Sequence, residues 1–353
     1  MSLTSTTPQN LLVVHIAGLS QSILALPALH ALRQHLPQAR ITVASSSTAA
    51  ELIELAGVAN EVLPVGRLRR AEWLRPRAAW NSRTTLRELR QGYYDLAIEL
   101  TTNTEAGALL HMAEPRAQLG KRRNRLSHGL SIVLERITQK LVAPSSPFAP
   151  QCINDAMRYL QKLEPLGVRP TMAEPQLTTD RAADEQIEKL LTRHGVAFGE
   201  LLIGIHAGAS KPKPRWAFDR FVNLAARMHH EFHARVVIVA GAQERGLARQ
   251  IVRQLPPKSA ITYESSKPVE LLSLLARCSL VVANHSGPAH LAAAAGVPVV
   301  VLSPHPTATP QDVLGKHQLH VRAPHVALIS EEAVYDAACQ MLKSSRASGL
   351  SAR

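Results

Sequence analysis

Residues 280–306 read LVVANHSGPAHLAAAAGVPVVVLSPHP, and this stretch decides the fold class of the chain. An apolar run of strand type, Leu280 to Ala283, is followed by a turn at Asn284-His285 and an alanine-rich segment of helical length. After Gly296 comes a second apolar run, Val297 to Leu302. Strand, helix and strand in this order are typical of a parallel sheet, because parallel strands need a crossover connection.

The predicted helix begins with residues suited to binding an anion. Ser286 is a favourable N-cap residue, and Gly287-Pro288 fit the first turn, where the missing N–H of proline costs nothing. Free backbone N–H groups and the positive end of the helix dipole favour a ligand such as a diphosphate. The same residues also suit an ordinary capped helix between two strands, so the spacing leaves both interpretations open.

Length and composition set the broad class. A chain of 353 residues favours two domains, and 46% apolar with 4% aromatic residues favours the aliphatic core of parallel α/β sheets. No run of 18 or more apolar residues occurs, and the first residues lack the features of a signal peptide. Three widely separated cysteines, Cys152, Cys278 and Cys339, fit neither a metal site nor a disulfide framework. A reducing cytoplasm is the expected compartment.

Positive charge is concentrated in one part of the chain. The formal net charge is +13, and residues 67–140 hold 15 Lys and Arg against 7 Asp and Glu. Such clusters suit an anionic lipid surface, a phosphorylated substrate or nucleic acid, although a solvated basic face is the alternative. Nucleic acid is not favoured, because no recognised binding motif accompanies the charge. The first cluster includes Arg67, Arg69 and Arg70, and the second includes Lys121, Arg122 and Arg123.

Strand-like and helix-like segments alternate along the whole chain, with an extended linker around Thr171. This pattern predicts an α/β fold of two doubly wound parallel-sheet domains, 1–170 and 171–353, that face a cleft. The closing helix could pack back across the domain junction. Strands are predicted at 11–16, 41–44, 61–65, 93–100, 118–120, 201–206, 235–240, 260–263, 280–283 and 297–302. Helices are predicted at 20–36, 48–56, 103–112, 155–166, 182–194, 217–231, 243–254, 269–277, 287–295 and 330–342.

Residues 284–292, NHSGPAHLA, carry the most specific family resemblance in the chain. Their pattern is similar to (N)-D-(S/T)-G-x-x-H-L-A, the signature of family 9 glycosyltransferases, the ADP-heptose:lipopolysaccharide heptosyltransferases of GT-B fold. The resemblance extends over roughly residues 11–342. Supporting segments are LPALHALRQHLPQARITV at 26–43, YDLAIEL at 94–100, RAQLG at 116–120, IHAGA at 205–209, RW at 215–216 and VAGAQE at 239–244.

The resemblance implies an inverting, metal-independent transfer of heptose from ADP-heptose to the lipopolysaccharide inner core. A base takes the proton of the acceptor hydroxyl while the ADP diphosphate leaves with growing negative charge. The basic clusters would face the phosphorylated acceptor and the anionic inner face of the membrane, with each cation contributing roughly 1 kcal/mol. The implied donor-binding residues are His206, Gly208, Ala209, Lys213, Arg215, Ser286, Gly287, Pro288, Ala289 and His290. The implied acceptor-binding residues are Arg67, Arg69, Arg70, Lys121, Arg122 and Arg123.

Three polar positions depart from the family pattern. Ser20-Gln21 stands where the family has Gly-Asp with its likely base, His285 replaces the Asp of the signature, and Pro214 replaces a phosphate-contacting Lys. Gln21 cannot accept a proton at neutral pH, and loss of a general base typically costs about 10²–10⁴-fold in rate. His15 and His285 are candidate replacement bases, because imidazole titrates near neutrality. Glu99, at a strand end, is a weaker candidate.

Two functions therefore compete for the same fold. The chain is either a divergent transferase or a catalytically impaired nucleotide-sugar-binding or scaffold protein. A nucleotide-sugar epimerase is disfavoured, since Asp is missing at both signature turns. Trp216 is expected to anchor the following helix rather than stack on a base, and His290 either contacts phosphate or packs. The acceptor sugar, the donor sugar and the oligomeric state are left open.

Overall fold

The computed structural model describes residues 8–65, 87–101, 103–119, 154–169, 174–208, 215–241, 244–264, 267–309 and 312–347. Several residues singled out above lie outside this described part of the chain. They are Arg67, Arg69, Arg70, Lys121, Arg122, Arg123, Cys152, Thr171, Ala209, Lys213 and Pro214.

The N-terminal domain is built on a parallel sheet with the spatial order β3-β2-β1-β4-β5. Helices cover the sheet, and the last of them comes after the domain's last strand in the chain. The strands are β1 (Asn10–His15), β2 (Arg40–Ser46), β3 (Glu61–Val65), β4 (Leu96–Glu99) and β5 (Ala117–Leu119). The helices are α1 (Leu19–His35), α2 (Ser47–Leu55), α3 (Thr104–Ala113) and α4 (Asp155–Gln161).

The C-terminal domain repeats this architecture with the spatial order β11-β10-β9-β6-β7-β8, and its strands are also parallel. The predicted fold class is thus confirmed. The strands are β6 (Leu202–His206), β7 (Arg235–Ala240), β8 (Ala260–Glu264), β9 (Leu280–Asn284), β10 (Val299–Ser303) and β11 (Gln318–Arg322). The helices are α5 (Arg181–Arg193), α6 (Phe218–Phe232), α7 (Arg245–Arg253), α8 (Pro268–Ala276), α9 (Gly287–Ala294) and α10 (Glu331–Ala347).

The central strands are apolar along their length because helices cover both faces of each sheet. Every residue of β6, β9 and β10 is buried, as expected for parallel strands that read as continuous apolar runs. This explains why these strands were located from the sequence to within about two residues.

The two domains meet through helices that share one hydrophobic core. α1 packs on α9, and α2 packs on α8. Buried side chains of α1, such as Leu24 and Leu29, belong to the same cluster as Ala289 and Ala292 of α9. The small side chains of α9 let the helices approach closely, so the alanine-rich sequence serves the junction as well as the helix.

Several elements differ from the sequence-based expectation. α1 begins at Leu19, one residue before the predicted start, and continues through Pro27 without a break. α4 ends at Gln161, and a separate 3₁₀ turn covers Glu164–Leu166. β11 was not predicted, because its residues are only half buried at the edge of the sheet.

The closing helix α10 packs on β9, β10, β11 and α6. Its main contacts are therefore within the C-terminal domain, whereas the sequence had suggested a return across the junction. None of the helices in the described ranges combines the length and apolar character needed to span a membrane.

Candidate functional site

The order of the strands creates a crevice in each domain. The order in which strands are added reverses between β1 and β4 in the first sheet and between β6 and β9 in the second, while all the strands stay parallel. At such a switch point the connecting helices leave on opposite faces, so the carboxyl ends of the two strands border an open crevice that commonly binds ligands. His206 ends β6, and Asn284 ends β9.

The start of α9 lies at the second of these crevices and has no side-chain cap. Ser286 is the N-cap residue with extended backbone angles, but its side chain makes no capping bond. Instead, Ser286 Oγ donates to the carbonyl of Asn284 at 2.8 Å and lies 3.1 Å from Nδ1 of His206. The Ala289 N–H donates to the carbonyl of Ser286 at 3.1 Å, which tightens the first turn. The uncapped helix start is the feature that suits an anion.

Asn284 ties the two strand ends together. Its Nδ2 donates to the carbonyls of Ala207 and Gly208, each at 3.1 Å. Asn284 and Ser286 are both buried. These bonds hold the turn after β6 against the turn after β9, so His206 and Gly208 lie beside Ser286.

A carboxylate closes the other side of this site. Glu244 Oε2 lies 3.4 Å from Nε2 of His206, and Glu244 Oε1 lies 3.7 Å from Arg215. A Cβ at Gly208 would overlap the carboxyl group of Glu244, so Glu244 packs directly against the turn after β6. His206, Gly208 and Arg215 are thus brought together as the sequence predicted, around an acidic residue to which the sequence had assigned no role.

His285 faces a second carboxylate. Its side chain is 18% exposed, and Nε2 lies 3.8 Å from Oδ1 of Asp312. Its ring also makes an edge contact with His290, with ring centroids 5.7 Å apart. His285 therefore lies at the helix start with one nitrogen directed at an acid.

Asp312 is held in a fixed orientation by its neighbours. Thr309 donates to it from the backbone N–H at 3.1 Å and from Oγ1 at 2.7 Å, and Arg322 donates at 2.6 Å. Burial would raise the pKa of Asp312, but the hydrogen bonds from Arg322 and Thr309 outweigh it, so the pKa lies below its ordinary value. Asp312 is therefore ionised at neutral pH.

His290 is enclosed beneath the start of α9. It is 1% exposed, and its Nε2 has no hydrogen-bond partner among the residues described. Burial, with smaller contributions from His285 and His320, lowers the pKa of His290 to about 3. A neutral, enclosed ring supports the packing role for His290 over the phosphate contact.

The N-terminal domain meets this site through the first turn of α1. A Cβ at Gly287 would come within 2.9 Å of Leu19 Cδ2, so the two helix starts touch across the junction. Gln21 is half buried in the same turn of α1. The position at which the family resemblance places a base is thus on the helix that touches α9.

His15 and Glu99 lie deeper, at the carboxyl ends of β1 and β4. His15 is fully buried, its ring packs on Tyr159 at 5.3 Å, and burial followed by the charge of Lys162 lowers its pKa to about 4. Glu99 is also buried, and Lys162 donates to the carbonyl of Leu100 at 2.6 Å. His15 is neutral at physiological pH but enclosed in this conformation.

Trp216 has the anchoring role expected from the sequence. It is 2% exposed, its Nε1 donates to the carbonyl of Ile329 at 2.8 Å, and its ring meets Phe221 edge-on. It therefore fastens the start of α6 to the segment before α10.

A large groove lies at the other end of the helix pair. Its volume is about 950 Å³, and its lining includes Pro27 and His30 of α1 and Ala293 and Ala294 near the end of α9. The groove is distant along both helices from Leu19 and Gly287, so size alone does not identify the chemical site. Across the described segments, no three His, Cys, Asp or Glu side chains are arranged to hold a metal ion.

Sequence reasoning missed the residues that support the site. Asn284 and Glu244 were inside quoted motifs, so their positions carried a signal although no role was assigned. Asp312 and Arg322 carried none, because they lie on different elements and meet only in the folded chain.

Paired doubly wound domains with a site at the junction define the GT-B architecture. Within that class, the chain belongs to glycosyltransferase family 9 (heptosyltransferase), whose sequence model matches residues 83–327. The resemblance inferred from the motifs is thereby confirmed.

Solved structures show the same fold over nearly the whole chain. A family 9 glycosyltransferase from Veillonella parvula DSM 2008 is similar with a TM-score of 0.79 and 21% identity, covering 96% of this chain and 98% of that one. E. coli ADP-heptose lps heptosyltransferase II is similar with a TM-score of 0.71 and 19% identity, covering 96% of this chain and 99% of that one. E. coli heptosyltransferase WaaC with ADP is similar with a TM-score of 0.70 and 17% identity, covering 94% of this chain and 99% of that one.

Proposed function

We propose that this glycosyltransferase transfers heptose from ADP-heptose to a sugar of the lipopolysaccharide inner core, with inversion and without a metal ion. The observation that carries the proposal is the uncapped start of α9 at the β6–β9 crevice, where it touches α1 across the junction. Similar structures named for ADP-heptose or solved with ADP support a nucleotide-sugar donor.

The donor diphosphate would bind at the start of α9. Backbone amides there and the Arg215 guanidinium provide positive potential, and Glu244 lies between Arg215 and His206. As the bond to the anomeric carbon breaks, negative charge grows on the diphosphate, and fixed donors at a helix start stabilise it. Ala209, Lys213, Gly287, Pro288 and Ala289 complete the proposed donor site, Pro288 without an amide to donate, whereas the enclosed His290 packs beneath the helix start.

The acceptor would approach from the N-terminal domain. Arg67, Arg69, Arg70, Lys121, Arg122 and Arg123 are proposed to bind the phosphorylated acceptor and the anionic membrane surface. On this proposal the protein works in the cytoplasm, on the inner face of the inner membrane. No nucleic-acid partner is proposed.

A second candidate function is donor binding without efficient turnover. Gln21 favours it, because an uncharged amide in the first turn of α1 cannot serve as a base. His15 is enclosed, and His285 lies beside the proposed diphosphate site, so neither replaces an acid at position 21 directly.

Product formation separates the two candidates. Radiolabelled ADP-heptose would be incubated with deep-rough lipopolysaccharide acceptors, and donor binding would be followed in parallel by calorimetry. A labelled lipopolysaccharide product supports the transferase. Donor binding with no product on several core acceptors supports the binding protein, and absence of both contradicts the proposed donor.

A further inference from the structure

An electrostatic contact joins the turn before α9 to the loop after β10. Nε2 of His285 is enclosed and lies 3.8 Å from Oδ1 of Asp312. The His285 side chain as a whole is 18% exposed, and the residue directly precedes the N-cap residue of α9. The acid therefore faces the inner edge of the ring, next to the proposed diphosphate site.

The carboxylate of Asp312 cannot turn freely. Oδ2 accepts from Arg322 at 2.6 Å and from the Thr309 N–H at 3.1 Å, while Oδ1 accepts from Thr309 Oγ1 at 2.7 Å. Arg322 is itself held by donating to the carbonyl of Thr307 at 2.9 Å. Oδ1 is therefore presented to His285 by a rigid frame rather than by a mobile side chain.

We infer that Asp312 is a positioning residue for His285, and that His285 in its protonated form binds the diphosphate of the donor. The inference rests on the proposed donor site at the start of α9. An imidazolium carries two N–H donors, so one can face Asp312 while the other reaches the ligand. A charged donor binds phosphate oxygens more strongly than a neutral one.

The other charged or titratable groups near His285 come from the elements that surround it. His290 from α9 stays neutral, since its pKa is about 3. Burial lowers the pKa of His320 from β11, which contacts Ser303 and the carbonyl of Val313. Arg322 pairs with Asp312, and His206 lies across the site on Ser286.

These charges set the direction of the pH dependence. An ionised Asp312 favours the imidazolium of His285, and the imidazolium favours an anionic ligand. Donor affinity should therefore be highest at low pH and should fall as the pH rises through the pKa of His285. The expected loss is roughly five- to tenfold, the difference between a charged and a neutral hydrogen bond.

The test is calorimetric titration of the full chain with ADP-heptose between pH 5.5 and 8.5. Both phosphates of this probe are esterified, so the ligand carries no phosphate group that titrates near neutrality. His285→Asn should remove the pH dependence. Asp312→Asn should move the midpoint down by about one pH unit, and Arg322→Gln, which removes a competing cation, should move it up. Thermal melts identify variants that fail to fold.

His206→Asn is the matched control on the other side of the site. Retention of the pH dependence by His206→Asn and its loss in His285→Asn support the inference. The reverse result, or an unchanged midpoint in both folded Asp312→Asn and Arg322→Gln, overturns it. If the wild-type chain does not bind ADP-heptose at all, the proposed donor fails first, which is a separate outcome.

Discussion

Glycine at position 287 allows the close contact between the two domains. It begins α9, and Leu19 of α1 occupies the space that a side chain would need. Gly246, in the first turn of α7, has nothing within 4 Å of an added Cβ. Both glycines therefore lie at a helix start, but only Gly287 has another side chain next to an added Cβ.

Gly287→Ala should weaken ADP binding by about tenfold or more, because Leu19 must shift into the junction where the diphosphate is proposed to bind. Gly246→Ala should leave binding unchanged and stabilise the fold by roughly 0.5–1 kcal/mol. Calorimetric titration and chemical denaturation measure the two effects. Equal binding by the two variants would contradict the placement of the site.

Position 21 is where a single functional group decides between transfer and binding. Gln21→Asp would supply a carboxylate in the first turn of α1, and the rate of labelled product formation should rise by about 10²-fold or more. Gln21→Asn keeps an amide and should leave the rate unchanged. A high wild-type rate that does not rise in Gln21→Asp would contradict the assignment of position 21 as the place where the base is missing.

At the scale of elements, α1 is the part of the N-terminal domain on which the junction depends. It contacts α2, α4 and α9. Its buried leucines lie in the core cluster that also contains residues of α9. The same helix thus stabilises its own domain and fixes the position of Gln21 relative to Ser286.

Leu29→Ala should lower the free energy of unfolding by about 2–5 kcal/mol, since Leu29 is 2% exposed within that core. Leu328→Ala removes the same atoms from a side chain that is 69% exposed and should change stability by less than about 0.5 kcal/mol. Denaturant titration followed by circular dichroism measures both. A similar loss of unfolding free energy in the two variants would contradict the role of α1 in stabilising the core at the domain junction.

The whole molecule contains buried neutral histidines in both domains. Burial lowers the pKa of His15 to about 4 in the N-terminal domain and that of His290 to about 3 in the C-terminal domain. In the unfolded chain a histidine binds a proton near pH 6.5. Stability from the neutral folded forms is therefore fully present above about pH 6.5 and is lost as the pH falls toward 4.

We expect the free energy of unfolding to fall on acidification from pH 7 to pH 4, with His15 contributing on the order of 3 kcal/mol. His15→Phe, which keeps a ring against Tyr159, should flatten the decline. His230→Phe, on a more exposed side chain in the last turn of α6, serves as the control. An equally steep decline in wild type and His15→Phe would contradict this assignment.

The sequence by itself determined the fold class, the family and most of the elements. Runs such as Leu280 to Ala283 are apolar because both faces of a parallel sheet are buried, and this local requirement is visible in the order of the residues. Ser286, His206 and Gly208 were predicted to share a site because the family resemblance places all three at the donor. The edge strand β11 escaped prediction because its half-buried residues carry no such requirement.

Only the tertiary structure decided which side chains meet. His285 faces Asp312, Arg322 holds that acid, and Glu244 lies against Gly208, although each pair comes from segments separated along the chain. His15 was a candidate base by residue type, but only the folded core showed it to be enclosed. The physical reason is that burial and charge pairing depend on contacts between elements, whereas strand and helix patterns depend on each element's own exposure.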